Sequence, residues 1–321
     1  MNRFTSAFAP KLEAMLEFRT ARGFKNRTHL GNLHRFDRFC AEHYPDRAEL
    51  TPEIVYGWLD TETLLSPRTI NDRASTIRQL GLYLSAVDKE AFILTEKFRT
   101  NRNSNIPYNF TDSEMTALFA EIDRLPANRG EPYLNEIAPV LFRLTYTCGL
   151  RPNEVRGLLC ENVDLESGVI TILNTKKRKD RIIVMSDDMW DMCRRYDSRR
   201  VIFACGNPYF FPSSKGGALG SERVQVALTK AWTNAICSKE CPLPPRIRVY
   251  DLRHRMASAC LNRWLDEDRD LLAMLPYLRT YMGHGSLNET AYYIHILPEN
   301  LMKSPAVDWD AFNSMFPEVG V

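Results

Sequence analysis

Four polar islands interrupt otherwise apolar helical text, and each carries a side chain able to act on a phosphate. They read Gly149-Leu150-Arg151-Pro152-Asn153-Glu154, then Tyr250-Asp251-Leu252-Arg253-His254, then Met282-Gly283-His284, and finally Tyr293, nine residues beyond His284. Two arginines, a histidine and a tyrosine, with no carboxylate cluster to hold a metal, suit cleavage of a phosphodiester by a protein hydroxyl in place of water. The pentavalent transition state gathers charge on two non-bridging oxygens. A guanidinium binds such oxygens bidentately and keeps its proton. Two arginines from distant segments grip the phosphate from two sides, and losing one preorganised donor of this kind costs roughly 3 kcal/mol. The attacking phenol has an intrinsic pKa of about 10, so nearby cations or a base must help it ionise. The leaving 5′ oxygen needs a proton, and Lys176, in a basic turn between the first two islands, is placed in sequence to supply one.

The elements that must position these residues divide into two domains, the natural expectation for 321 residues. Residues 1–97 read as an all-helical unit. Leu12, Met15, Leu16 and Phe18 mark a first amphipathic helix, and Leu30, Leu33, Phe36, Phe39 and Cys40 a second. Thr51-Pro52-Glu53 and Ser66-Pro67 each pair a capping residue with proline at the first helical position, opening a third and a fourth. The text from 98 to 109 turns polar and loses its period, which predicts a linker. Thr111-Asp112-Ser113-Glu114 then forms a capping box that starts a larger domain, 110–321. Within it, Val169–Leu173 and Arg181–Val184 are β-rich runs around the basic turn and predict a hairpin. Helices are expected around 187–200, 221–238, 250–265 and 269–282. The fold class is therefore mainly α with a small β-hairpin or sheet, in two domains.

Bulk charge says little about partners, because the formal net charge is only +2. Local charge says more: Lys176-Lys177-Arg178-Lys179-Asp180-Arg181 is one cationic cluster, and Arg194-Arg195 with Arg199-Arg200 another. No apolar run approaches the roughly 20 residues that span a bilayer, and the first residues lack the apolar core of a signal peptide. Eight cysteines, mostly in apolar segments, fit free thiols in a reducing compartment. Cys237 and Cys241 lack a second pair of ligands, so ordinary loop thiols are expected there in place of a zinc site. These features predict a cytoplasmic protein with no metal, no other cofactor and no membrane partner.

The four islands, in this order and with this final spacing, resemble the tyrosine recombinase (phage integrase) family over residues 110 to 300. Arg151 matches the first arginine of that family, with Glu154 as its acidic partner, and Lys176 matches the lysine of the hairpin turn. Asp251-Leu252-Arg253-His254 is similar to the second arginine box. Met282-Gly283-His284 with Tyr293 is similar to the last box, in which Tyr293 is the nucleophile and His295 completes a Tyr-x-His pattern. The second box usually begins with histidine, and here Tyr250 stands in that place. A histidine accepts a proton near neutral pH, whereas a phenol hydrogen-bonds a phosphate but is a poor base. From Arg253 to His284 the chain is longer than is usual in the family, with Asp266-Glu267-Asp268-Arg269-Asp270 forming a polar insertion. Tyr292 competes with Tyr293 as nucleophile, and spacing favours Tyr293; Lys177 and Lys179 compete with Lys176.

The resemblance implies a two-domain fold and a site-specific recombinase that cuts and rejoins double-stranded DNA through a 3′-phosphotyrosyl intermediate. It implies paired recombination sites held by a tetramer, alone or with other recombinase subunits. By the same resemblance Arg35, Arg38, Arg68, Arg73 and Arg78 of the N-terminal helices, with Lys177 and Arg178, face DNA. The apolar tail from Leu297 to Phe316 docks either on a neighbouring protomer or on its own domain. Two other readings use the same residues: an accessory DNA-binding subunit in which Tyr250 marks lost catalysis, and a type IB topoisomerase-like relaxase acting alone.

Overall fold

Each polar signal in the N-terminal sequence does local work. Thr51 accepts a hydrogen bond from the Ile54 amide and, with Pro52 behind it, opens a helix that buries Ile54, Val55, Trp58 and Leu59. The computed structural model describes residues 4–24, 26–61, 66–88, 91–96, 98, 107–127, 129–173, 180–237 and 244–293. Lys176, Lys177, Arg178, Cys241, His295 and the apolar tail lie outside these residues.

The chain divides into two units, Met1–Ile106 and Pro107–Val321, a boundary inside the polar stretch. The first unit packs α1 (Ala9–Ala21), α2 (Arg27–His43), α3 (Pro52–Asp60) and α4 (Pro67–Asp88) around Phe8, Leu12, Phe36, Trp58, Ile77 and Leu80. Phe36 meets Trp58 edge-on at 5.4 Å. The buried Asp37 carboxylate accepts from the Thr5 and Ser6 amides, which ties the start of the chain to α2.

In the second unit, α5 (Asp112–Asp123) begins with the expected capping box. The Thr111 hydroxyl accepts from the Glu114 amide, and Glu114 accepts from the Thr111 amide. There follow α6 (Leu134–Thr147), α7 (Pro152–Arg156), strands β1 (Val163–Asp164), β2 (Val169–Ile172) and β3 (Arg181–Val184), then α8 (Asp187–Phe203), α9 (Ser221–Ile236), α10 (Val249–Asp266), α11 (Leu271–Met282) and α12 (Leu287–Ala291). The strands form an antiparallel sheet in the order β1-β2-β3, with Ile170 opposite Ile183. Period two sends Ile170, Ile172 and Ile183 inward and leaves Ile182 and Val184 exposed. The predicted hairpin is thus two strands of a three-stranded sheet. The added β1 has two residues, too few to show a period. Leu173 lies past the end of β2 and is exposed.

Two apolar clusters fill this unit. The larger joins α5, α6, α8, α9 and the sheet, while α10, α11 and α12 share a smaller one containing Leu261, Leu275, Leu278, Met282, Ala291 and Tyr293. Residues 266–270 are exposed, and Asp270 caps α11 by accepting from the Leu272 amide. No helix among the described residues is long and apolar enough to cross a membrane.

Candidate active site

Two helix ends set the frame. After α6, Gly149 turns the chain with φ +58, and after α11, Gly283 does so with φ +64, a left-handed conformation that costs a side-chain-bearing residue about 1–2 kcal/mol. Both turns aim carbonyl oxygens at one place. Arg253, wholly buried one turn into α10, donates through Nη1 to the Gly149 carbonyl and through Nη2 to the Met282 carbonyl at 2.6 Å. Arg151, the residue that opens α7, donates through Nη2 to the Gly283 carbonyl at 2.8 Å. One main-chain turn after each helix therefore holds an arginine supplied by a different island.

Glu154 organises the first island. Its carboxylate accepts from the Arg151 amide at 2.9 Å and from Arg151 Nη1 at 2.7 Å, and also from Arg181 Nη1 and Nη2 at 3.1 and 2.7 Å. Burial alone would raise its pKa, but the bonds from Arg181 and Arg151 outweigh burial and hold it at about 2. Burial likewise opposes the charge on Arg151, and Glu154, with Tyr250 beside it, more than restores that charge. Arg181 also donates from Nε to the Tyr281 carbonyl at 3.0 Å, so one guanidinium joins β3, the first island and the end of α11.

His284 follows directly on Gly283, and both ring nitrogens are engaged. Nε2 lies 2.9 Å from Arg253 Nη2, and Nδ1 lies 2.8 Å from Thr290 Oγ1. A guanidinium can only donate, so Nε2 accepts and Nδ1 carries the proton that goes to Thr290. Burial, then the positive Arg253 and Arg151, push the imidazole pKa down to about 3, in keeping with this neutral tautomer.

Tyr293 is 2% exposed and its ring stacks on His284 with centroids 5.8 Å apart and planes 17° from parallel. Its competitor Tyr292 is 43% exposed. Burial raises the Tyr293 phenol to about 12 although Arg253 opposes the shift. A phenol held there is protonated at neutral pH. Arg253 has no accessible surface.

Arg151, Tyr250, Arg253, His284 and Tyr293 thus converge. Of the expected DNA-facing residues, Arg35, Arg38 and Arg68 are exposed on α2 and α4. Arg73 departs from that expectation: it is buried with its guanidinium 5.2 Å from the Trp58 ring centre. Arg78 donates to the carbonyls of Leu94 and Glu96. The second cationic cluster is also engaged within the fold. Arg195 pairs with Asp191, Arg199 with Glu136 and Arg200 with Asp197, while Arg194 lies over Trp190. Asp251 pairs with Arg248 and not with Arg253.

Sequence reasoning overlooked Arg181, Thr290 and His254 as members of the site. Arg181 shares the inward phase of Ile183, and a charge on the apolar face of a strand demands a buried partner; that phase was the available signal. His254 lies one helical turn after Tyr250, ring to ring at 4.9 Å. Thr290 has no signal in the sequence.

The phage integrase family model matches residues 108–300, more than half of the chain. The chain belongs to this family of tyrosine recombinases. A relative from Sinorhizobium fredii, the integrase/recombinase y4rE, is 28% identical over 300 residues, covering 92% of this chain and 93% of its own. The tyrosine recombinase XerC of Thermodesulfovibrio yellowstonii is 23% identical over 292 residues, covering 88% of each. Among solved structures, the XerH site-specific recombinase in a post-cleavage complex with its difH substrate aligns with TM-score 0.63 at 19% identity, over 88% of this chain and 79% of that one. The Tn1549 transposon integrase bound to transposon end DNA aligns with TM-score 0.60 at 16% identity, over 95% and 98%. At such identities the likeness to the solved structures is one of fold.

Proposed function

We propose that this tyrosine recombinase is a site-specific DNA recombinase that cuts one strand of a duplex through a 3′-phosphotyrosyl bond at Tyr293, without a metal. The observation that carries the reading is the convergence of Arg151, Arg253 and His284 on the place where Tyr293 is buried. The Tyr293 oxygen attacks phosphorus, the bond to the 5′ oxygen breaks, and that leaving oxygen takes a proton from the hairpin lysine, Lys176, to become a free 5′-hydroxyl. A partner strand's 5′-hydroxyl then reverses the step. The phosphotyrosine bond conserves the energy of the phosphodiester, so no nucleotide cofactor is needed. Arg151 and Arg253 neutralise the non-bridging oxygens, and Tyr250 hydrogen-bonds the phosphate.

Two sites are brought together by a tetramer. An apolar groove of about 980 Å³, lined by Ile182, Met256, Cys260, Trp264, Tyr277 and Tyr281, offers the apolar tail of a second copy a place to dock. The direct test uses duplexes from the DNA flanking the coding sequence, nicked beside the cleavage point so that the covalent complex is trapped. Wild type is expected to form a denaturant-resistant adduct that is lost in Tyr293→Phe and retained in Tyr292→Phe. No adduct from wild type would overturn the reading. Assembly on two sites, against relaxation of supercoils by a monomer, separates it from a topoisomerase.

A further inference from the structure

The reaction leaves one proton without a destination. Tyr293 is protonated at rest and must pass its proton on as the bond to phosphorus forms. Among the described residues the groups around it are Arg253 and Arg151, which cannot accept, the phenols of Tyr250 and Tyr292, and two imidazoles. His284 has its single lone pair committed to Arg253 and its proton to Thr290. His254 is different. Its ring lies 5.3 Å from that of Tyr293, and its buried Nδ1 has no hydrogen-bond partner among the described residues.

We infer that His254 is the proton acceptor for Tyr293, resting on the reading of Tyr293 as nucleophile. In the step, the Oη–H bond of Tyr293 breaks as Oη–P forms and P–O5′ breaks. The phenolic proton passes to His254 Nδ1, and the 5′ oxygen draws its own proton from the hairpin lysine. In religation the proton returns from His254 to Tyr293. Among the described residues the groups facing His254 are Arg248 at the cap of its helix, Arg253 and Tyr250 on that helix, and Tyr292 and Tyr293 across from it. Burial and the two arginines hold its pKa at about 4, so the ring is neutral and able to accept at neutral pH. An incoming phosphate offsets those cations and makes it a stronger base.

The test is single-turnover cleavage of the nicked duplex by the full chain from pH 6 to 9, with His254→Gln and His254→Phe. Each substrate is made with an ordinary and with a sulfur 5′-bridging atom, which leaves without needing a proton. Both variants are expected to form the Tyr293 adduct about 100-fold more slowly than wild type, within the range for losing a general base. The defect should persist on the sulfur substrate, where Lys176→Ala is rescued, and should shrink as pH rises. Adding Tyr250→His to His254→Gln is expected to restore much of the rate. Duplex affinity, read alongside, should stay within threefold of wild type. Cleavage by either variant within about threefold of wild type overturns the inference, as does a defect that is independent of pH or is erased by the sulfur substrate. Should wild type itself form no adduct, the reading of Tyr293 fails and the inference with it, a result distinct from wild-type cleavage that His254 variants leave unchanged.

Discussion

Glu154 is the residue on which the arginine grip turns. It receives both Arg151 and Arg181 at a site where its side chain is only 10% exposed. A carboxyl held at about 2, against 4.5 when free, makes folding depend on pH in a defined direction. Its contribution is fully present above about pH 4.5 and is lost as pH falls toward 2. The size is on the order of 3 kcal/mol. Glu154→Gln should therefore lower stability by roughly that amount at pH 7, and the gap from wild type should close between pH 5 and 2.5 in denaturant titrations. Cleavage should fall further than stability does, because Arg151 loses the partner that sets its fork. A gap that stays constant across that pH range would show that the ion pairs contribute nothing net.

At the scale of elements, the site is made by helix ends. α6 and α11 both close through a left-handed glycine, and the carbonyls exposed there anchor the two arginines. A methyl group at Gly283 would lie 3.0 Å from Arg181 Nη1, so substitution combines backbone strain with displacement of a clamp. Gly206, with φ +76 and open space, isolates the backbone contribution. Gly206→Ala is expected to lose about 1 kcal/mol. Gly283→Ala should lose roughly twice that, together with most of the cleavage activity. Thermal melts and adduct formation read the two, and equal melts with equal activity would show that Arg181 accommodates the methyl freely. The helices α5 and α8 to α11 were legible because 3.6-residue periodicity and caps are local signals. β1 was not, since its two residues acquire strand character only by pairing with Val169 and Ile170.

For the whole molecule, the two units have separate cores, so stability and DNA affinity can be perturbed separately. Arg68 on α4 is exposed, whereas Arg73 five residues on is buried against Trp58. On a helix these two positions fall on different faces, and the apolar stripe takes the second. Arg68→Ala should weaken duplex binding and reduce the slope of log affinity against log salt by about 1. Arg73→Ala should leave that slope unchanged and lower the melting temperature of the N-terminal unit by several degrees. The reverse pattern would assign the DNA contact to Arg73.

What the chain's sequence determined by itself is the family, through the residue types of the four islands and their order, because the chemistry proposed for them restricts residue types and the helical text frames them. It also determined the capped helices and the inward phase of the hairpin strands, which follow from nearest-neighbour sterics and burial. Tertiary structure alone decided which of two adjacent tyrosines is buried against His284, that Arg73 turns inward, and that Arg181 joins three segments. It also decided that both ring nitrogens of His284 are engaged while His254 Nδ1 has no hydrogen-bond partner among the described residues. The reason is physical: a hydrogen bond between residues more than a hundred positions apart, such as Arg253 to Gly149, depends on where whole helices pack, and no local pattern encodes it.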